Sequence, residues 1–248
     1  MPFRAQTISG YIQAAHARFL SDFASENGLP AAAPAATIEP RFRYNQSFDS
    51  IYAMVPGSMA MLLALIPAIL MALAVVREKE LGSITNLYVT PVTRLEFLLG
   101  KQLPYIGISL VNFFLMLELS IGVFQVPLKG SFGTLLLATI LYVTATTGYG
   151  MVISSFTRSQ VAALFATMIL TVLPATQFAG MLTPASSLRG TPYLIGRGFP
   201  MTYYRLVSVG TFTKGLGFAD LSHQVAALAV FIPVFTLHNL ALLRKQEL

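Results

Sequence analysis

Residues 55–76 read VPGSMAMLLALIPAILMALAVV, and Arg77-Glu78-Lys79-Glu80-Leu81-Gly82 follows at once. No charged side chain interrupts the first stretch. A helix of about 20 apolar residues crosses the roughly 30 Å of hydrocarbon in a bilayer. The stretch therefore predicts a transmembrane helix that ends in a compact group of charges.

Four further stretches are long and apolar enough to cross a bilayer. One of them contains a single acid, Glu118, whose ionised form costs about 3 kcal/mol at the membrane centre. That cost does not outweigh the Ile, Leu, Val and Phe residues around it. We therefore predict an all-α polytopic bundle of about five membrane helices, near residues 55–76, 103–124, 132–155, 160–180 and 223–243.

The composition of the chain excludes several classes of protein. Charged residues make up 10% of the 248 residues, against about 25% in soluble globular proteins, which is too little charge to cover a soluble surface. Cysteine is absent, which excludes disulfides and thiolate metal sites. No HExxH, GxSxG or GxxxxGK(S/T) pattern occurs. The chain is therefore predicted to be non-catalytic, with any ATP bound by another polypeptide.

The first 54 residues differ in character from the rest of the chain. Residues 7–23 place apolar side chains at helical spacing, which predicts an amphipathic helix, and the Ala- and Pro-rich run 29–40 is typical of a spacer. We predict a partial polar domain and spacer over 1–54 and a membrane domain over 55–248. Because Met1 opens directly into the polar domain, we expect the chain to lack a span upstream; a short independent lid is the alternative.

The segment 77–101 is the most structured polar element of the sequence. Leu81, Ile84 and Tyr88 recur on one side of a short helix, which Thr90-Pro91 ends or bends. This pattern predicts an amphipathic helix between the first two spans. An interfacial helix that only lies among the headgroups is the alternative.

Thr93 and Glu96 have the spacing of a capping box. In this motif the Thr side chain accepts a hydrogen bond from a backbone N–H of the first turn, and the Glu side chain reaches back to the backbone N–H of the cap residue. A new helix therefore begins here and continues through Lys101 into the second span. An amphipathic helix joined rigidly to a membrane helix can pass on a push delivered at the membrane surface.

Two further features concern the spans themselves. Small residues at Thr144, Gly148, Gly150 and Ser154 suit close helix packing. Basic residues fall on both sides of the spans, so charge bias does not orient the chain. Prolines bring a kink or an end to four of the five spans, at Pro56, Pro67, Pro104, Pro174 and Pro233.

The segment 77–101 resembles the REKE…G…VTP…E…GK signature of ABC-2 type exporter permeases, in which it forms the coupling helix that sits on the ATPase subunit. The matching residues are Arg77-Glu78-Lys79-Glu80, Gly82, Val89-Thr90-Pro91, Glu96 and Gly100-Lys101. The segments 154–160, 178–184 and 199–203 are similar to the family as well.

A narrower resemblance lies in residues 82–87, Gly-Ser-Ile-Thr-Asn-Leu. This variant is most similar to the permease portion of ribosome-associated ABC ATPases, in which two nucleotide-binding domains precede the membrane part. On that reading the chain is the C-terminal piece of such a protein, without its ATPases and first span. The ribosome would then be a further partner, reached through the ATPase.

The family resemblance implies an orientation and a set of partners. The protein would be a multi-pass protein of the cell inner membrane, with segment 77–101 and the C-terminus cytosolic and residues 1–54 extracytoplasmic. Two permease units, as a homodimer or a heterodimer, would flank a pathway through the lipid bilayer. An ABC ATPase subunit, or fused nucleotide-binding domains, would bind ATP and Mg, and this chain would bind no cofactor.

The resemblance also implies site residues. The charged quartet 77–80 would make charge-assisted contacts with the ATPase, and a re-entrant hairpin before the last span would lie at the exit of the pathway, with an ordinary external loop as the alternative. Glu118 is a pathway candidate because intramembrane acids are often functional; near the outer end of its span it could instead be hydrated. The ATPase-coupling candidates are Arg77, Glu78, Lys79, Glu80, Leu81, Gly82, Ile84, Tyr88, Thr90, Pro91, Glu96 and Lys101, and the pathway candidates are Glu118, Phe178 and Gly180.

Two other functions stay open alongside the exporter permease. An ion-coupled carrier or channel should show buried charge pairs or an inverted hydropathy repeat, and neither is evident in the sequence. A membrane anchor that tethers a ribosome-associated ATPase, without moving a solute, is supported by the narrower resemblance alone.

Overall fold

The computed structural model describes residues 2–28, 51–82, 93–181 and 188–245. Within these ranges the chain forms eight α-helices and no strand. They are α1 (Pro2–Glu26), α2 (Ile51–Glu80), α3 (Arg94–Glu118), α4 (Phe132–Ser155), α5 (Gln160–Gln177), α6 (Thr191–Arg197), α7 (Pro200–Val209) and α8 (Phe218–Lys245). Short π-helical turns at Leu119–Val123 and Gly210–Lys214 continue α3 and α7.

Five of the described helices are long and apolar enough to cross a membrane. This confirms the predicted all-α class and the number of spans, and the chain is a multi-pass membrane protein. The five are Ile51–Glu80, Arg94–Val123, Phe132–Ser155, Gln160–Gln177 and Phe218–Leu242.

The ends of the helices refine the sequence prediction. The charged quartet belongs to the last turn of α2 rather than to a loop, because the backbone stays helical through Glu80. The fourth span ends at Gln177, before the predicted residue 180, since the chain turns at Phe178. The predicted coupling helix falls largely on residues 83–92, which lie outside the described residues.

The chain forms two units, Met1–Ala53 and Met54–Leu248. In the first unit, α1 contains the amphipathic stretch predicted over 7–23. The Phe19 and Phe23 rings stack one turn apart, with their centroids 6.2 Å apart.

The helix α4 lies at the centre of the second unit and packs against α3, α5, α7 and α8. Most of its residues are buried, as expected of a span surrounded by other helices. Its contact with α2 is close enough to exclude a side chain, because a Cβ atom on Gly150 would lie 2.2 Å from the Ala68 carbonyl oxygen. Small residues on α4 thus let the backbones meet, as the sequence predicts.

The spans bring polar segments together at two opposite ends. One end joins the last turn of α2 to the start of α3 and to the turn between α4 and α5, and we call it the charged end (residues 77–82, 93–101 and 154–160). The other, the hairpin end, comprises residues 119–131, 178–181 and 188–217. Its first and last segments are joined by backbone bonds, among them Gly130 N–H to the Thr211 carbonyl at 2.8 Å.

Candidate functional site: the charged end and the hairpin end

The helix α2 ends at the charged end in a left-handed glycine. The amide of Leu81 still donates to the Arg77 carbonyl at 3.0 Å. Gly82 then adopts φ 69°, a conformation that glycine takes at little cost and that often ends helices. The sequence therefore stops α2 directly after its charges, and the quartet stays in helical register.

Three consecutive charged residues of α2 each bind a different helix. The Lys101 ammonium group of α3 donates to the Glu78 carboxylate. Lys79 Nζ donates to the Ser154 carbonyl at the end of α4, at 2.8 Å. We call these contacts, together with that of the next residue, the clasp.

The third contact of the clasp is made by Glu80. Its carboxylate accepts from the backbone N–H of Gln160, at 2.9 Å, and from the Gln160 side-chain amide. Gln160 is the first residue of α5, so the carboxylate lies at the positive end of that helix, where a negative charge is stabilising. The clasp thus joins α2 to α3, α4 and α5.

The ion pair of the clasp is unequally buried. The Lys101 side chain is only 10% exposed, whereas that of Glu78 is 39% exposed. The Lys101 ammonium group also lies 5.2 Å from the centre of the Phe97 ring, which favours a cation. Lys101 therefore depends on Glu78 for much of its charge compensation.

Side-chain caps fix where α3 and α5 begin. The capping box is confirmed, since the Thr93 hydroxyl accepts from Glu96 N–H at 3.3 Å while Glu96 Oε2 accepts from Thr93 N–H at 2.9 Å. The Ser159 hydroxyl accepts from Ala162 N–H, at 3.2 Å, at the start of α5. Both helices thus begin with their first amides bonded.

Other residues at the charged end face outward. Arg77 and Leu81 are exposed, Leu81 by 68%, and Phe156 in the turn between α4 and α5 is 71% exposed. Beside the clasp, the charged end therefore has an exposed surface that is both basic and apolar. Four coupling candidates lie outside the described residues, namely Ile84, Tyr88, Thr90 and Pro91.

At the hairpin end, the turn that follows α5 is held from two sides. A Cβ atom on Gly196 of α6 would lie 2.6 Å from the Phe178 carbonyl oxygen. Arg205 Nε of α7 donates to the Ala179 carbonyl at 2.9 Å. Gly180 has φ 88°, and a Cβ there would lie 2.5 Å from Arg205 Nη2. Two of the pathway candidates, Phe178 and Gly180, thus belong to one closely packed turn.

The helix α7 is buried inside the bundle. The Tyr142 and Tyr204 rings stack with centroids 4.2 Å apart. The Tyr142 hydroxyl donates to the Ala60 carbonyl at 2.8 Å, and the Ser208 hydroxyl donates to the Pro56 carbonyl at 3.1 Å. The region before the last span contains two short helices of 7 and 10 residues, each too short to cross a membrane. Its depth in the bilayer stays a prediction.

The third pathway candidate, Glu118, lies apart from that turn. Its side chain is exposed on the surface of α3, in the last α-helical turn before the π-helical one. It forms no hydrogen bond or ion pair with the described residues. The bundle therefore does not enclose Glu118 in its own core.

Three residues that organise the hairpin end and the part of α4 beside it are missing from the sequence prediction. Arg205, Tyr142 and Tyr204 carry no local pattern that marks them, although an arginine inside the apolar segment 199–213 was a usable signal. In the described part of the chain, no group of three or more His, Cys, Asp or Glu residues could hold a metal ion.

The chain is similar in sequence to known transport proteins. The sequence profile described as ABC-2 family transporter protein matches residues 3–241. The probable multidrug ABC transporter permease YbhS of Escherichia coli K12 is 29% identical over 236 residues, which are 93% of this chain and 62% of that protein. The inner membrane transport permease YhhJ of the same strain is 29% identical over 220 residues, 86% of this chain and 57% of that protein.

A longer relative is ABC transporter G family member 20 of Dictyostelium discoideum, 26% identical over 215 residues, which are 86% of this chain and 29% of that protein. The chain spans about 62% of the length of YbhS and 57% of YhhJ. No solved structure matches the chain.

Proposed function

The chain belongs to the ABC-2 family of transporter proteins, and from that membership we propose that it is the membrane-spanning permease component of an ATP-driven exporter. Its partners are an ABC ATPase, separate or fused, and a second permease unit in the same bilayer. The ATPase binds ATP and Mg. The observation that carries the proposal is the clasp, because it ties the end of α2 to three other helices at the surface where an ATPase would push.

The charged end is the coupling surface on this proposal. Arg77 and Leu81 are exposed there, and they supply a charged hydrogen-bond donor and apolar area to the ATPase. Ile84, Tyr88 and Thr90-Pro91 lie outside the described residues; from the sequence we predict that the first two extend the apolar face along a coupling helix, which Thr90-Pro91 ends or bends. Gly82 gives the chain its change of direction between α2 and that helix.

The resemblance implies ATPase contacts for Glu78, Lys79 and Glu80 as well; because each is bonded within the chain, we propose that they transmit the displacement from behind that surface. Glu78, Lys79 and Glu80 bind α3, α4 and α5, so a displacement of Leu81 moves the ends of four spans together. Glu96 fixes the start of α3 through the capping box, and Lys101 receives the displacement through its ion pair with Glu78.

The orientation follows from the same assignment. The charged end and the C-terminus face the cytosol, where ATP is available, and the hairpin end and residues 1–54 face the outside. Phe178 and Gly180 then lie in a re-entrant hairpin at the exit of the pathway. Glu118, exposed on α3, faces the pathway between two permease units.

Paired cysteine probes test the proposal, because the chain contains no cysteine of its own. Leu81→Cys and Leu194→Cys are matched, since both leucines are 68% exposed and they lie at opposite ends of the bundle. In the intact complex, a maleimide-linked photocrosslinker at position 81 should capture a protein with an ATP-binding phosphate loop, and the same reagent at position 194 should not.

The same variants test the orientation. A membrane-impermeant maleimide added to intact cells should label position 194 and leave position 81 unlabelled. Capture of the ATPase from position 194, or labelling of position 81 from outside, would falsify the assignment of the charged end as the cytosolic coupling surface.

A narrower candidate is a membrane anchor for a ribosome-associated ATPase. It is favoured by residues 82–87, which are similar to that subfamily, and most of these residues lie outside the described ranges. Co-sedimentation of the intact complex with ribosomes, without ATP-dependent transport in vesicles, would favour the anchor over the exporter.

A further inference from the structure

One turn of α4 supplies hydroxyl groups to carbonyls that prolines leave free. A proline inside a helix removes the N–H that would bind the carbonyl four residues earlier. Within hydrocarbon, such a carbonyl needs a donor from a neighbouring helix. Pro174 of α5 frees the Leu170 carbonyl, and the Tyr149 hydroxyl of α4 donates to that oxygen at 2.9 Å.

A similar arrangement involves Thr146, three residues before Tyr149 on α4. Pro67 of α2 frees the Leu63 carbonyl, and the Thr146 hydroxyl lies 3.4 Å from that oxygen. The Thr146 hydroxyl also lies 3.2 Å from the Val143 carbonyl of its own helix. Its bond to α2 is therefore the weaker of the two.

This turn, residues 146–150, also lies against the other two spans that contain a proline. A Cβ atom on Gly148 would lie 3.2 Å from Gln102 Nε2, two residues before Pro104 of α3. It would also lie 3.2 Å from the Cβ atom of Phe235, two residues after Pro233 of α8. We call residues 146–150 the pivot turn, because each proline-containing span touches it near its proline.

We propose that Tyr149 and Thr146 are positioning residues of the transport cycle: their hydroxyls set the kinks of α5 and α2, and the two helices bend about the pivot turn when these bonds break and re-form. The role in transport rests on the proposed function. Beyond Pro174, α5 leads to the packed turn at Phe178. Beyond Pro67, α2 leads to the clasp, so the pivot turn lies between the two ends.

A second-site change isolates the Tyr149 bond. Tyr149→Phe removes the hydroxyl and keeps the ring, whereas Pro174→Ala returns the N–H that binds the Leu170 carbonyl. In the purified full chain we expect Tyr149→Phe to lower the unfolding temperature by about 2–4 °C. With Pro174→Ala present, the loss should fall below half of that value. Tyr105→Phe is the matched control, since Tyr105 is also half-buried in a span and its hydroxyl forms no hydrogen bond with the described residues.

The distance across Pro174 provides a second readout, which a bond that only stabilises the protein would not change. Spin labels at Val161→Cys in α5 and Leu194→Cys in α6, both at exposed positions, report the distance across the kink by pulsed electron resonance. We expect one narrow distance distribution in the parent, a broadened one with Tyr149→Phe, and a narrow one again when Pro174→Ala is added.

An unchanged distance distribution with Tyr149→Phe, or an equal loss of stability in both proline backgrounds, overturns the proposal. Neither measurement involves an ATPase, so such a failure would leave the permease assignment in place. Failure to capture an ATPase at position 81 would likewise leave the bond to Leu170 in place. Thr146→Val with and without Pro67→Ala repeats the test on α2, with a smaller expected shift because the bond is longer.

Discussion

The two ends of the bundle are held together by different interactions. At the charged end, long polar side chains of α2 reach three other helices, and Glu80 does so from an exposed position. At the hairpin end, backbones meet with no room for a side chain, as Gly196 does against Phe178. The Tyr204 ring there is fully buried, stacked on Tyr142 of α4.

The two kinds of contact are suited to different roles, one to movement and the other to a fixed shape. Water can replace the partners of exposed polar groups, so the outer contact of the clasp, made by Glu80, can open and re-form at small cost, whereas the pair of Glu78 and Lys101 is shielded from solvent. Closely packed backbones and buried hydroxyls have no such replacement, and disturbing them is expensive. The charged end is therefore suited to move with a partner, and the hairpin end to keep the shape of an opening.

The largest effect is expected from Gly196→Ala at the hairpin end. The new methyl group would lie 2.6 Å from the Phe178 carbonyl oxygen, so the backbone of the turn or of α6 would have to shift. We expect a loss of stability of about 3 kcal/mol, at the upper end for overpacking. Unfolding of the purified protein in detergent measures it.

Gly198→Ala is the matched control for that prediction. Its nearest neighbours, the carbonyl oxygens of Leu194 and Ile195, would be 3.5 and 3.6 Å from the new Cβ, an ordinary contact. The control should change stability by at most about 0.5 kcal/mol. Equal losses at the two positions would mean that the hairpin end is not tightly packed, and the contrast between the ends would fail.

A smaller loss is expected from Glu78→Ala at the charged end. The change leaves the Lys101 ammonium group, whose side chain is 10% exposed, without its carboxylate, and we expect a cost of about 2 kcal/mol. Arg77→Ala, one position earlier and exposed, is the control and should cost at most about 0.5 kcal/mol.

Removing the buried cation as well should restore stability. Lys101→Met in the Glu78→Ala background takes away the unpaired charge, so the double variant should be more stable than Glu78→Ala alone. A double variant that is less stable than either single one would show that Lys101 needs no counter-charge, and the ion pair would then not hold the clasp.

Much of this architecture could be predicted, because it depends on residues that lie close together in the sequence. The absence of charge over 132–155 gives the observed span, since a bilayer admits only apolar helices of that length. Thr93 and Glu96 give the start of α3, because a cap depends on residues three positions apart. The five prolines inside the spans likewise mark where backbone carbonyls lack their helical N–H partner.

The partners of these groups could not be read from the sequence. Lys79 binds a backbone carbonyl 75 positions away, and any residue type would supply such an oxygen. Tyr149 reaches the Leu170 carbonyl only because α4 and α5 pack side by side. The role of Arg205 depends on its hydrogen bond to the Ala179 carbonyl, 26 positions away. The sequence thus provides a set of candidate residues, whose role in coupling stays a prediction, and their intrachain bonds could not be read from it.

The helix cap of α3 ranks third in expected effect. Thr93→Ala removes the hydroxyl that accepts from Glu96 N–H, and loss of an N-cap costs about 1 kcal/mol. Thr93→Ser keeps the hydroxyl and should stay close to the parent protein. Hydrogen exchange of the first amides of α3 localises the change; protection that stays the same in Thr93→Ala would show that the cap does not hold the charged end.

The smallest effect is expected from Glu80→Gln, which tests whether the charged end is open to water. The variant keeps a side-chain oxygen for Gln160 N–H and loses the negative charge at the start of α5. Because Glu80 is exposed, the small fall in unfolding temperature should disappear in about 1 M salt, where screening extends only about 3 Å. The effect of Glu78→Ala should survive the same salt, since Lys101 is shielded from solvent. If both effects persist equally, the outer contact of the clasp is as desolvated as the inner one, and the charged end loses the property that would let it move.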